Sequence, residues 1–458
     1  MAPTQLLSLA SLSLLLAMVV EPRGSYGSTT GPFGLNDDAL EVNGICATSV
    51  TIYGYKCEEH LVQTDDGYIL SMQRIPEGLA EGNGGAGNIK QPVLIQHGVL
   101  VGFNHEISAI FFALLQSVIC LVCQDGMTWL LNSPDENLPM ILADNGFDVW
   151  IANTRGTRFS RTHVSLDPSQ SEFWDWSWDE LASFDLSAVF DFVFNKTQQK
   201  IHYIGHSQGT LMGLASFSGG YQADTLKSAV FLSPIAYLSH MSTTLGTAAA
   251  KALFGEITAW TGIIEFNPKG KPATTFLRTL CSYPGVDCDD LLTAITGKNC
   301  CLNASAVKLF LTNAPQSTSS KNMVHLSQSK PMKPNSSYSI SSIGFDEAEI
   351  AVVRDGVMAK YNYDRPDYNL KHYGTIMPPV YDISNITHDL PIFISYGGQD
   401  ALSDVKDVQQ LLDCLKNHDA DKLTTQFINE YAHVDFIMAA NAKDIVYNQI
   451  LQFFQNQQ

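Results

Sequence analysis

One pentapeptide constrains this chain more than any other feature: Gly205-His206-Ser207-Gln208-Gly209 has the form G-x-S-x-G. Roughly one chain in six of this length carries that pattern by chance, so its surroundings decide what it means. Residues 200–204 (KIHYI) read as a buried strand, and residues from about 208 onward (QGTLMGLA) read as a helix. A strand, a tight turn and a helix are what a nucleophile elbow needs. The turn is strained, so the flanking positions must lack a Cβ, and Ser207 projects its hydroxyl from the tip. The N–H of Gln208 then sits at a helix N-terminus, where it can hold a developing negative charge.

A serine hydroxyl is a poor nucleophile at neutral pH. It needs a base, and the base needs an orienting acid. Behind an elbow of this kind the chain order is Ser, then Asp or Glu, then His. The histidines downstream of Ser207 are His240, His325, His372, His388, His418 and His433. Of these, His433 lies in a loop (YAHVDF, 431–436) just after a late strand and before a helix. The acid belongs past the preceding strand, which ends in GGQD (397–400) and makes Asp400 the candidate. Asp404 is the nearby rival, but it stands where the N-cap of a helix at 405–416 is expected. A second oxyanion donor should follow strand 92–96, where His97-Gly98-Val99-Leu100 stands. Gly98 permits a sharp exit and the Val99 N–H can turn inward. His97 reads as a structural, hydrogen-bonding histidine.

The rest of the chain fits a sheet that presents such an elbow. Residues 51–75 alternate apolar and polar and read as antiparallel strands joined at Asp65-Asp66-Gly67. Residues 78–90 are a glycine-rich loop. Short apolar runs at 92–96 and 147–152 and further strands at 201–204, 229–232, 390–396 and 424–429 alternate with helical stretches. Among these is a helix opened by the capping box Ser177-x-x-Glu180, with Leu181, Phe184, Ala188 and Phe192 at helical spacing. That rhythm means a mostly parallel α/β sheet. The interval 235–375 breaks it with helical pieces, a cysteine cluster and a Ser/Thr/Lys-rich stretch at 316–342, as expected of a cap over the carboxyl ends of the strands. The expected division is a leader at 1–27, a core at 28–234, a cap at 235–375 and the rest of the core at 376–458.

Hydrophobic residues make up 45% of the chain and charged residues 16%, which excludes a disordered protein. A formal net charge of −19 argues against a nucleic-acid or anionic-membrane partner, since both need a basic face. No protein partner is inferable. Residues 6–20 are an uncharged, largely apolar run followed by small residues, the pattern of a cleaved secretory signal. It is short for a membrane span. A secretory route, ending outside the cell or in a vacuole, makes disulfides expected among the nine cysteines. The local options are Cys46 with Cys57 and a bridge among Cys281, Cys288, Cys300 and Cys301. Cys120, Cys123 and Cys414 complete the set. Four sequons, at Asn195, Asn303, Asn335 and Asn385, are candidate glycan acceptors. No second ligand pair accompanies Cys120 and Cys123, so no metal is expected, and ester chemistry on a serine requires no cofactor.

Taken together, the motifs resemble the acid lipases of the gastric and lysosomal type, in their plant triacylglycerol-lipase branch. The stretches that carry the resemblance are GYKCEEHLVQTDDGYIL (54–70), QHGVL (96–100), WLLNSPDENL (129–138), NGFDVWIANTRGTRFS (145–160), GHSQG (205–209), GGQDALSD (397–404) and YAHVDF (431–436). They run from about residue 40 to the end. The resemblance implies an α/β-hydrolase fold, a mostly parallel sheet with flanking helices and an inserted cap with a lid. It also implies Ser207, Asp400 and His433 as the triad, with Val99 and Gln208 as oxyanion donors. The implied substrates are neutral lipid esters, acylglycerols or sterol esters, at a lipid–water interface.

The chain departs from that pattern at one place. Residues 101–124 separate the oxyanion loop from WLLNSPD, which in the family follow each other closely. The insert is strongly apolar over 107–122 and carries a single ionisable carboxylate, Glu106. Its ends suit an unspliced intron; the rival reading is a lid extension. Two other functions stay open on the same fold. One is a catalytically impaired lipid-binding protein, disabled by the insert, and the other is an acyltransferase.

Overall fold

The computed structural model describes residues 44–81, 89–99, 124–241, 265–266, 292–293, 295–313, 316–328 and 357–457. The leader at 1–27, residues 101–123 of the insert, Cys120, Cys123, Cys281, Cys288, Asn335 and much of the expected cap lie outside them.

Among the described residues, a helical turn at Cys46–Val50 is tied by a Cys46–Cys57 disulfide to the residue just before the first strand. Strands β1 (Glu58–Gln63) and β2 (Tyr68–Ile75) form the expected antiparallel hairpin. Strands β3 (Pro92–Gln96), β4 (Asp148–Ala152), β5 (Thr162–His163), β6 (Ile201–His206) and β7 (Leu226–Leu232) follow. A two-residue pair, β8 (Glu265–Phe266) and β9 (Thr318–Ser319), stands apart from the main sheet. Strands β10 (Ile392–Gly397) and β11 (Leu423–Ile428) close the sequence. The main sheet runs β1-β2-β4-β3-β6-β7-β10-β11, with β5 against β2. From β4 to β11 every pairing is parallel.

The inner strands β3 and β4 are covered on both faces, which is why they are continuous apolar runs, whereas the edge strand β11 is largely exposed. Val93, Leu94, Ile95, Val149, Trp150 and Ile151 are wholly buried. Burying each such side chain contributes on the order of 1.5–3 kcal/mol before entropy is charged against it. The chain leaves β3 toward β4 on one side and later returns to β6 on the other. Strand order therefore reverses between β3 and β6, and the crevice at such a reversal is where open α/β sheets bind ligands.

Two local details differ from expectation. The Ser177 capping box forms: the Ser177 N–H donates to Glu180 Oε2 at 2.7 Å. The helix then passes through a π turn, Leu181–Asp185, before continuing as Leu186–Thr197. Leu181 is buried as expected, but a π turn inserts one extra residue, so past Leu181 the buried stripe runs through Ala182, Leu186, Val189, Phe190 and Val193. Phe184, Ala188 and Phe192 instead line a shallow surface groove with Leu61, Asp65 and Asn195. In the Ser/Thr/Lys-rich stretch, helix Ser320–Gln328 buries Asn322, Met323, His325 and Leu326 against the core.

Cys300 and Cys301 form a disulfide with each other, and Cys414 is the free thiol among the described residues. Asn195 and Asn385 are exposed, and Asn303 is half-buried with its side chain accepting from the Ser305 N–H. No described helix is long and apolar enough to cross a membrane.

Candidate active site

The sheet register brings four loops to one edge. Gln96 of β3 pairs with Gly205 of β6, so the loops after both strands leave side by side. Gly397 of β10 pairs with Ile428 of β11, which does the same for the loops carrying Asp400 and His433.

Ser207 sits between β6 and helix Gln208–Ser218 with φ 54° and ψ −121°, a backbone conformation that L-residues rarely adopt. Its neighbours impose that geometry. A Cβ on Gly209 would lie 2.7 Å from the Gln96 carbonyl oxygen. The Thr210 hydroxyl donates to the Ser207 carbonyl at 2.6 Å and locks the first helical turn. The oxyanion loop also comes close: a Cβ on Gly98 would lie 2.5 Å from Ser207 Cβ, so only glycine fits there.

Asp400 and His433 are paired and buried. His433 Nδ1 donates to Asp400 Oδ2 at 3.0 Å and stands 3.1 Å from Oδ1. Asp400 Oδ1 also accepts the Leu402 and Ser403 N–H groups at 2.9 and 2.8 Å. Burial works to raise the Asp400 carboxyl, but the facing imidazole and these amides outweigh it and hold it below the usual carboxylate value. With Nδ1 committed to the carboxylate, Nε2 is the basic nitrogen of His433. It has no hydrogen-bond partner among the described residues. Asp404 does what the sequence predicts: it caps helix Val405–Cys414, accepting the Lys406 N–H at 2.9 Å.

Ser207 and His433 are not yet joined. The Ser207 hydroxyl donates to the Val99 carbonyl oxygen at 3.2 Å. The Val99 carbonyl thus presents an acceptor to the nucleophile; the Val99 N–H, the expected oxyanion donor, belongs to the preceding peptide unit. The Gly98 N–H, one residue earlier, donates to Gln124 Oε1 at 3.2 Å. The last residue of the expected insert is therefore part of the oxyanion loop's support. Serine–histidine bonds in ligand-free sites commonly close only when substrate binds.

His97 is used structurally. Its Nε2 accepts the Thr154 N–H at 3.2 Å, its Nδ1 donates to the Gly98 carbonyl at 2.9 Å, and burial holds it below its usual pKa. Four further groups escaped the sequence reading. His206 donates Nε2–H to the His433 carbonyl at 2.9 Å and is pushed down to about 3, chiefly by burial, so it is a neutral strut. The Ser233 hydroxyl donates to the same carbonyl at 3.4 Å. The Thr296 carbonyl accepts both the Ala401 N–H at 3.3 Å and the His433 N–H at 3.2 Å, tying the acid loop to the base loop. Asp435 accepts the Ala432, Cys300 and Cys301 N–H groups at 2.7, 3.2 and 3.3 Å. None of these contacts leaves a signature in sequence spacing, because each joins segments distant in the chain or uses backbone atoms. No group of three or more His, Cys, Asp or Glu side chains among the described residues is placed to hold a metal ion.

Comparison with known proteins shows the family and the fold. A family model described as a partial alpha/beta-hydrolase lipase region matches residues 46–102, and one described as the alpha/beta hydrolase fold matches residues 121–256. Residues 103–120, inside the insert, fall between the two. The chain is 52% identical over 438 residues to triacylglycerol lipase 2 of Arabidopsis thaliana, covering 96% of this chain and 93% of that protein. It is 35% identical over 413 residues to triacylglycerol lipase 1 of the same plant, covering 90% and 91%. It is 32% identical over 453 residues to gastric triacylglycerol lipase of Rattus norvegicus, covering 95% and 98%.

Proposed function

Since the chain belongs to the α/β-hydrolase family of plant and gastric triacylglycerol lipases and is a carboxylic ester hydrolase, we propose that Ser207, Asp400 and His433 carry its reaction and that neutral lipid esters are its substrates. The observation that carries this reading is the buried Asp400–His433 pair, which leaves a bare Nε2 on the edge of the sheet that presents Ser207. His433 takes the Ser207 proton as the hydroxyl attacks the ester carbonyl. The Gln208 amide, first in its helix, receives the oxyanion, and His433 returns the proton to the leaving alcohol. Water then cleaves the acyl-enzyme by the same steps. The second donor is the Val99 N–H, and for attack the Ser207 hydroxyl exchanges the Val99 carbonyl for His433 Nε2.

The family relationship and the Cys46–Cys57 bridge favour a secretory route to the cell exterior or a vacuole. Along it, exposed Asn195 and Asn385 are the more accessible glycan acceptors. A second reading is a catalytically impaired lipid binder. What favours it is the contact of Ser207 with the Val99 carbonyl beside the insert. One experiment separates the two. The purified protein is treated with a fluorophosphonate probe and assayed on a panel of glycerides and sterol esters. Labelling and hydrolysis that both disappear in Ser207→Ala support the esterase; an unlabelled, inactive wild type supports the lipid binder. Undiminished turnover in Ser207→Ala overturns the elbow assignment.

A further inference from the structure

We propose that Asn322, on helix Ser320–Gln328, is a positioning residue for the oxyanion site and acts through the side chain of Gln208. The inference rests on the reading of Gln208 as an oxyanion donor. Gln208 occupies the position after the nucleophile, and as the first helical residue its N–H has no partner within the helix. That amide is useful only if its direction is fixed to within about half an ångström. A glutamine beside the nucleophile is a poor choice for this if its side chain can rotate, since its own amide competes for the same space.

The side chain is not left to rotate. Gln208 Nε2 donates to Asn322 Oδ1 at 3.0 Å, and both residues are buried. Asn322 spends its other amide atom on Thr318: Nδ2 donates to Thr318 Oγ1 at 3.1 Å. Both ends of the Asn322 amide are thus committed. The segment bearing Asn322 is itself anchored to the core. The Ser319 hydroxyl donates to the Trp174 carbonyl at 2.6 Å. His325 stacks on Trp178 at 4.1 Å and bonds the Ser177 hydroxyl at 3.0 Å and the Ala359 carbonyl at 2.9 Å. Rigid core, docked helix, Asn322 and Gln208 therefore form a continuous chain of support that ends at the oxyanion amide. It reaches the nucleophile from a segment more than a hundred residues away, in the region that interrupts the sheet.

The test uses the full chain and a soluble nitrophenyl ester, with turnover normalised to active sites titrated by a fluorophosphonate. Asn322→Ala is expected to lower kcat ten- to a hundredfold with KM changed less than threefold, because a misdirected donor weakens transition-state binding alone. Affinity for a trifluoromethyl ketone, whose adduct places an oxyanion in the same position, is expected to fall by the same factor. Gln208→Met, which breaks the bond from the other side and leaves Asn322 on Thr318, is expected to give a matching loss. The double variant should be no worse than either single one. Should Asn322→Ala fail to fold, Gln208→Met carries the test through its kcat and inhibitor affinity. A kcat per titrated site within threefold of wild type, or single losses that multiply in the double variant, would overturn the proposal, even if the melting temperature falls. Unchanged activity in Ser207→Ala would instead overturn the reading on which it rests.

Discussion

At the scale of single residues, the chemistry rests on conformations and pairings that cost stability locally. Ser207 holds a positive φ at a cost of about 1–3 kcal/mol, and persists there because Gly209, Thr210 and the Gly98 loop leave the chain no alternative. The two carboxylates near the end of β10 illustrate how local chemistry separates neighbours. Asp400 turns inward to His433 and two amides, while Asp404 faces its own helix N-terminus. Asp400→Asn is accordingly expected to lower kcat by about 10⁴, as loss of the orienting acid does in serine hydrolases. Asp404→Asn should keep most activity; initial rates on one soluble ester decide it, and greater sensitivity at Asp404 would reassign the acid. The candidate triad was legible because each member stands just past a segment that reads as a strand, which a sequence shows directly. The orientation of the Val99 carbonyl toward Ser207 was not legible, because it depends on how two loops meet across β3 and β6.

At the scale of elements, close approach decides what can be changed. The loop after β3 passes so near the elbow that Gly98→Ala would place a Cβ 2.5 Å from Ser207 Cβ. That contact must push the loop or the nucleophile aside. We expect at least a hundredfold loss of kcat, with folding retained by circular dichroism; near-normal kcat would show that the loop yields freely. The same loop is held by Gln124, whose Oε1 accepts the Gly98 amide. A variant lacking 101–123 but keeping Gln124 joins the two regions that match known families, and is expected to raise both soluble yield and esterase activity. Lower activity of that variant on emulsified lipid would mark the segment as a working lid. The helices after Ser177, after Ser207, at 405–414 and at the end of the sheet were legible from capping signals and apolar runs, whereas the short helix Leu138–Asp144 was not. The facing of the helix after Ser177 was not, because a single π turn at Leu181–Asp185 rotates every later residue.

At the scale of the whole molecule, the region between the two parts of the sheet is joined to the core through groups whose ionisation burial has shifted in opposite directions. His325 is pushed down to about 3, chiefly by burial, and is neutral at physiological pH. Asp179, 3.9 Å away, is raised to about 6, again chiefly by burial, because a neutral imidazole gives it no ion pair. What holds Asp179 is the Tyr361 N–H at 2.8 Å and the Tyr381 hydroxyl at 2.7 Å. The sign of its effect on stability follows. An aspartate whose folded pKa lies above its unfolded value binds its proton more tightly when folded. Its contribution is fully present below about 3.9 and is lost as pH rises through 6. The buried histidines act oppositely. His202, His206 and His325, each lowered to about 3, take up protons only on unfolding, so each removes stability as pH falls below about 6.5. Wild-type stability should therefore fall on acidification, with Asp179 and Asp435, both raised to about 6 chiefly by burial, softening the fall below pH 6. Asp179→Asn tests this with little rearrangement. An amide there can accept the Tyr361 N–H with its oxygen and donate to the Tyr381 hydroxyl with its nitrogen. Without a buried charge to desolvate, the variant should melt higher than wild type at pH 7.5. Its advantage should shrink steadily from pH 6 to pH 4, where the wild-type carboxyl becomes protonated. Melting curves across that range decide the matter. An advantage that is constant with pH, or that appears only in acid, would mean that Asp179 is not the protonated partner in this contact.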